Sequence, residues 1–164
     1  MTTHADHARI ECEVADYYGY ATFSRKWEDN EPLFEKVMRI VVYDLDKSLI
    51  HDKLQMFCKI VRDSGLHWAW SDTCCINKVD HFVLQEALVS MFKWYEGSAM
   101  TIVLLRGVRA WRFQEYHAAK VIRFYTEDWK PYLNLDIPNH KESPEIISEM
   151  EEATGVSARV LMAL

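Results

Sequence analysis

The chain predicts an α/β fold: a flavodoxin-like, mainly parallel sheet flanked by helices, followed by a C-terminal helical extension. Two observations lead there. Short β-type runs alternate with helical stretches along most of the sequence, the pattern of successive crossover units. Met100-Thr-Ile-Val-Leu-Leu105 is apolar and branched without alternation, as a strand buried on both faces should be.

The elements follow in order. Gly19-Tyr-Ala-Thr-Phe-Ser24 is a compact β run that gives way to the charged turn Arg25-Lys-Trp-Glu-Asp-Asn-Glu-Pro32. A helix can begin near Pro32, because proline is tolerated in a first turn. Ile40-Val-Val-Tyr43 reads as a short additional strand. Leu54, Phe57, Cys58 and Val61 recur at helical spacing, and Gly65 ends that helix. His67 to Cys75 has the composition and length of a strand. Asp80 is placed to cap a helix whose inward stripe is Leu84, Leu88, Met91 and Tyr95, with Gly97 beyond it. The strand at Met100 follows, then a helix over Trp111 to Ala119 and the alternating strand Val121-Ile-Arg-Phe-Tyr125. Ser143-Pro144 opens an acidic helix that Gly155 closes. Right-handed crossovers make a strand order of 2-1-3-4 the expected one.

That order places a ligand crevice at the carboxyl ends of the first and third strands, where the winding reverses. The corresponding segments are Ser24 to Asp29 and Arg106 to Trp111.

With 164 residues, we read 1–164 as one domain, its core about 9–129 and its helical extension 130–164, excerpted from a longer protein. The net charge of −6 argues against a general nucleic-acid surface, which needs clustered Lys and Arg. The longest clean apolar run is far below a membrane span. The N-terminus MTTHADHARIECEV lacks an apolar core, and the four cysteines read as free thiols in a reducing compartment. A cytoplasmic location is therefore expected, with no membrane and no nucleic-acid partner.

Trp70-Ser-Asp-Thr-Cys-Cys-Ile-Asn-Lys78 carries two adjacent cysteines. A zinc site built from His67, Cys74, Cys75 and His81 lacks the usual paired-cysteine spacing. A cysteine nucleophile needs a base, and nothing in the sequence places His81 or His117 beside it. Asp72, near a strand end, can touch a ligand or cap the following loop. In Ser24-Arg-Lys-Trp-Glu-Asp29, cations and an indole can hold phosphates and stack a ring, or form a solvated turn. Trp111 and Glu115 share a helix face, so a carboxylate lies beside an indole near the predicted crevice. A first-turn glutamate can equally serve the helix dipole.

WSDTCCINK, together with Gln85-Glu-Ala-Leu88 and Ser90-Met-Phe-Lys-Trp-Tyr95, resembles the fungal heterokaryon-incompatibility (HET) domain. Tyr20-Ala-Thr-Phe-Ser-Arg-Lys-Trp27 and Arg109-Ala-Trp-Arg-Phe-Gln-Glu115 resemble further blocks of that family, in the family's order, over about Arg9 to Trp129. The family usually reads R-G-W-T-L-Q-E where this chain reads R-A-W-R-F-Q-E. Its loop before that block is commonly longer than Arg106-Gly-Val-Arg109, which admits a natural or engineered deletion here.

The resemblance implies a cell-death effector of fungal self/non-self recognition, acting downstream of an unknown sensor and as a homo-oligomer once activated. The HET domain is also similar to Toll/interleukin-1 receptor (TIR) domains, some of which cleave NAD⁺ with a glutamate four residues after a tryptophan. Carried onto this chain, that analogy makes Glu115 the catalytic residue of an NAD⁺ glycohydrolase. Ser24, Arg25, Trp27, Asp72, Arg106, Arg109 and Trp111 become substrate contacts. NAD⁺ would be substrate, with no cofactor and no metal. A non-catalytic, self-assembling signalling module is the competing expectation.

Overall fold

The computed structural model describes residues 9, 13–14, 17–29, 31–46, 48–105 and 113–157. Four strands, β1 (Tyr20–Arg25), β2 (Trp68–Ser71), β3 (Met100–Leu104) and β4 (Ile122–Tyr125), form one sheet. Every pairing is parallel and the order is β2-β1-β3-β4, as expected from the crossover argument. The described helices are α1 (Phe34–Val37), α2 (Leu49–Asp63), α3 (His81–Glu96), α4 (Phe113–Ala118) and α5 (Pro144–Thr154). Among the described residues, no helix is long and apolar enough to cross a membrane.

Side chains alternate across the sheet, and each face acquires its own core. On one face Ala21, Phe23, Met100, Ile102 and Leu104 meet Leu54, Phe57 and Val61 of α2. Phe23 and Phe57 stack with ring centroids 4.5 Å apart. On the other face Val103, Ile122 and Phe124 pack against Tyr116 of α4 and Ile146, Ile147 and Met150 of α5. Beside that core, Trp70 meets Tyr95, with Leu84 and Met91 of α3 packed against them.

The centre of this second face is polar. Thr22 and Thr101 are register partners on β1 and β3, and their buried hydroxyls lie 2.7 Å apart. Ser98 sits 3.3 Å from the Thr101 hydroxyl and donates to the Tyr95 carbonyl at 2.7 Å. These hydroxyls satisfy one another, which removes most of the penalty of burying them.

Caps set the helix limits. The Ser48 hydroxyl accepts from the His51 amide at 3.2 Å, and the Asp80 carboxylate from the amides of Phe82 and Val83 at 3.0 and 3.2 Å. Gly65 and Gly155 end α2 and α5 with φ of 79° and 71°, where a Cβ would be strained. The outer edge of β4 is closed by side chains: the Ile122 amide donates to Asn139 Oδ1 and the Phe124 amide to His140 Nδ1, each at 3.0 Å. That denies the edge to a foreign strand.

Three expectations need correction. Ile40 to Tyr43 is no strand. Val42–Asp44 forms a 3-10 turn, with Val42 and buried Leu45 packed toward α2 and Ile40, Val41 and Tyr43 exposed. The inward spacing is that of a turn, and the Val42 carbonyl accepts from Gln55 Nε2 at 2.9 Å rather than from a strand. β2 stops at Ser71, four residues before Cys75, because the Ser71 carbonyl turns back to accept from the amides of Cys74 and Cys75. Leu88 is 56% exposed, so the inward stripe of α3 is Leu84, Met91 and Tyr95 without it.

Candidate functional site at the carboxyl edge of the sheet

The chain winds from β1 outward to β2, then returns across β1 to β3, so the reversal lies between β1 and β3. The last two residues of β1 diverge there. Ser24 points to the face covered by α3 and α4, and Arg25 to the face covered by α2.

Ser24 is buried and its hydroxyl donates to Glu115 Oε2 on the first turn of α4. The Tyr95 hydroxyl, near the end of α3, donates to Glu115 Oε1 at 3.4 Å. Glu115 itself is only 8% exposed. A carboxylate at that depth needs donors to offset its lost hydration, and these two hydroxyls supply part of them. Three elements, β1, α3 and α4, thus converge on one carboxylate.

Arg25 is engaged on the opposite face. One guanidinium nitrogen pairs with Glu31 Oε1, and Nη2 donates to Thr73 Oγ1 at 3.0 Å. The Glu28 amide also donates to Glu31 Oε1, at 3.0 Å. Arg25 is therefore a buried ion-pair member, and an incoming phosphate would have to compete with Glu31 for it. Arg25, Lys26, Glu28, Lys53, Leu104 and Glu127 line a crevice of about 10 Å³, room for roughly one water.

Trp27 stands on the rim, half exposed. Its indole Nε1 donates to Asp72 Oδ2 at 2.6 Å, and Lys78 Nζ lies 3.8 Å from the ring centroid. Asp72 in the turn after β2 therefore anchors an aromatic plane from the turn after β1. The WSDTCCINK segment contributes Asp72, Thr73 and Lys78 to this rim, while Cys74 is buried and Cys75 exposed.

Of the residues singled out from sequence, Ser24 and Glu115 are brought together on one face, Trp27 and Asp72 pair on the rim, and Arg25 is turned to the opposite face. Arg106, Arg109 and Trp111 lie outside the described residues. Sequence reasoning missed Tyr95, Glu31, Thr73 and Lys78. Tyr95 was legible only as part of an apolar stripe, and its hydroxyl is what distinguishes it from the core residues around it.

A sequence profile described as "Heterokaryon incompatibility protein (HET)" matches residues 20–156. The chain belongs to the heterokaryon incompatibility family. The HET match begins at the first residue of β1 and ends just past α5, so it takes in the whole sheet and α1 to α5. Among curated proteins, the "Vegetative incompatibility protein HET-E-1" of Podospora anserina is 34% identical over 91 residues. That alignment covers 54% of this chain and 6% of the relative's length. No solved structure matches the chain.

Proposed function

We propose that this HET domain is the effector of an incompatibility cell-death response and that it hydrolyses NAD⁺ to nicotinamide and ADP-ribose. The observation that carries the reading is the buried Glu115 carboxylate, held by Ser24 and Tyr95 at the carboxyl edge of the sheet beside the winding reversal. The TIR-like spacing of Trp111 and Glu115 adds an analogy.

Nicotinamide leaves as a neutral ring because cleavage of its bond to ribose discharges the pyridinium. A general acid is then unnecessary, and a single carboxylate suffices where glycosidases use two. Glu115 accepts hydrogen bonds from the ribose hydroxyls, taking the place of the Ser24 donor, and opposes the positive charge that grows on the ribose. Water completes the reaction at the anomeric carbon and releases a proton. Trp27, held side-on by Asp72, offers a stacking plane for a base. The domain acts in the cytoplasm, downstream of a sensor and as a homo-oligomer.

The test is nicotinamide release from NAD⁺ at high protein concentration, comparing wild type with Glu115→Gln. Loss of about a hundredfold or more in rate is expected for a group stabilising transition-state charge. Equal release by the two proteins would overturn the assignment.

A second reading, a non-catalytic interaction module, is favoured by one observation. α3 leaves Phe82 86% and Val89 85% exposed. Val89→Glu should abolish cell death on that reading even where Glu115→Gln leaves it intact.

A further inference from the structure

α3 is apolar on two opposite faces. Leu84, Ala87, Met91 and Tyr95 lie on the side that packs with Trp70 over the sheet. On the reverse, Phe82 and Val89 are almost wholly exposed, and Val83 and Phe92 flank them, also exposed. A surface helix normally turns a polar face to solvent, and large apolar side chains gathered on one exposed element mark an interaction surface.

Charge completes the pattern. Residues 82, 86, 89 and 93 are spaced by four, three and four positions, so Glu86 and Lys93 share the outward stripe with Phe82 and Val89. Along the helix that stripe reads apolar, acidic, apolar, basic. Glu86 and Lys93 are both exposed, and neither has an ion-pair partner among the described residues. Two turns, about 10 Å of rise, separate them within one chain.

We propose that this stripe is the contact between two copies of the chain, packed as antiparallel α3 helices about a two-fold axis between Val89 and Ser90. A two-fold interface must be self-complementary, each copy receiving what the other offers. In this alignment position 86 faces 93 and position 82 faces 97. Glu86 meets the partner's Lys93, and by symmetry Lys93 meets the partner's Glu86. The Val89 side chains meet beside the axis, and Phe82 lies over the partner's Gly97, which has no side chain to obstruct it. A parallel pair would set Glu86 against the partner's Glu86 and Lys93 against the partner's Lys93, so the charges select the antiparallel one. A different protein would have to supply the reverse order, basic then acidic, around its own apolar side chains. A second copy turned end over end already supplies it. The inference rests on the homo-oligomer in the reading above and gives it a surface, but draws nothing from NAD⁺ chemistry.

The experiment is sedimentation equilibrium of the chain over about 10 to 500 µM, a range in which a small, transient interface populates dimers. Wild type should show a reversible monomer–dimer equilibrium. Glu86→Lys and Lys93→Glu each exchange two attractions for two repulsions, and each should weaken association about tenfold or more. Mixing those two variants should restore it, because every cross-pair is again of opposite sign. Val89→Glu should abolish it by setting two carboxylates against each other at the axis. All three positions are exposed, so thermal midpoints should stay within about 2 °C of wild type, which separates a lost contact from a lost fold. Nicotinamide release from the same samples tests the catalytic reading on its own. Monomers throughout, single reversals that leave the equilibrium unmoved, or a mixture no more associated than its components would overturn the proposal.

Discussion

Removing the Ser24 hydroxyl tests how the buried carboxylate is held. Ser24→Ala deletes one donor to Glu115 and changes little else, since Ser24 is buried and the loss is a single atom. A hydrogen bond to a charged group contributes about 1.5–3 kcal/mol. The midpoint of thermal unfolding should therefore fall by about 6 °C, at roughly 3 °C per kcal/mol for a chain of this size. Glu115→Ala alone is harder to interpret, because it relieves the burial of a carboxylate while stranding the Ser24 and Tyr95 hydroxyls. A double-mutant cycle isolates the pair. With both residues changed, the loss should be smaller than the sum of the single losses by about 1.5–3 kcal/mol. Urea unfolding followed by circular dichroism measures all four corners. A coupling below about 0.5 kcal/mol would refute the idea that Ser24 holds Glu115.

Asp80→Ala removes an acceptor from two amides at the start of α3, and should destabilise the protein by about 1 kcal/mol in the same urea assay. His140 is buried as the neutral ring, accepting from the Phe124 amide, and burial is the main reason its pKa is lowered. Its stabilising contribution is complete above the unfolded value near 6.5 and is lost as pH falls toward the lower folded value. Unfolding midpoints measured between pH 7.5 and 5.5 should drop, and His140→Gln should flatten that slope.

The sheet was readable because its strands are chemically different from everything around them. Met100 to Leu104 is apolar at every position except Thr101, and no amphipathic helix or loop has that composition. Helix limits were readable at Asp80, Gly65, Ser143 and Gly155, where one side chain or one positive φ decides the boundary. What failed were short β-branched runs. Ile40-Val-Val-Tyr43 has strand propensity, but it turns onto α2 instead, so packing outweighed propensity. The candidate site divided the same way. Glu115, Ser24 and Asp72 were reachable because topology places the ends of neighbouring strands together. Tyr95 and Glu31 were not, since which hydroxyl or carboxylate completes a buried pair depends on helix rotation and loop path, and periodicity does not encode either.

The buried threonine pair has a consequence for how the molecule finds its alignment. β1 and β3 are far apart in sequence and must pair in parallel, an association that offers many sliding choices. A slip of one position would turn Thr22 away from Thr101 and drive one of the two hydroxyls into the layer of Phe23, Phe57 and Ile102, where no partner awaits it. The penalty for such a slip falls at the middle of the strands. Its benefit appears two residues further on, where the permitted alignment leaves Ser24 beneath Glu115. A pair of hydroxyls at mid-strand thus acts as the proofreader for where the buried carboxylate is held.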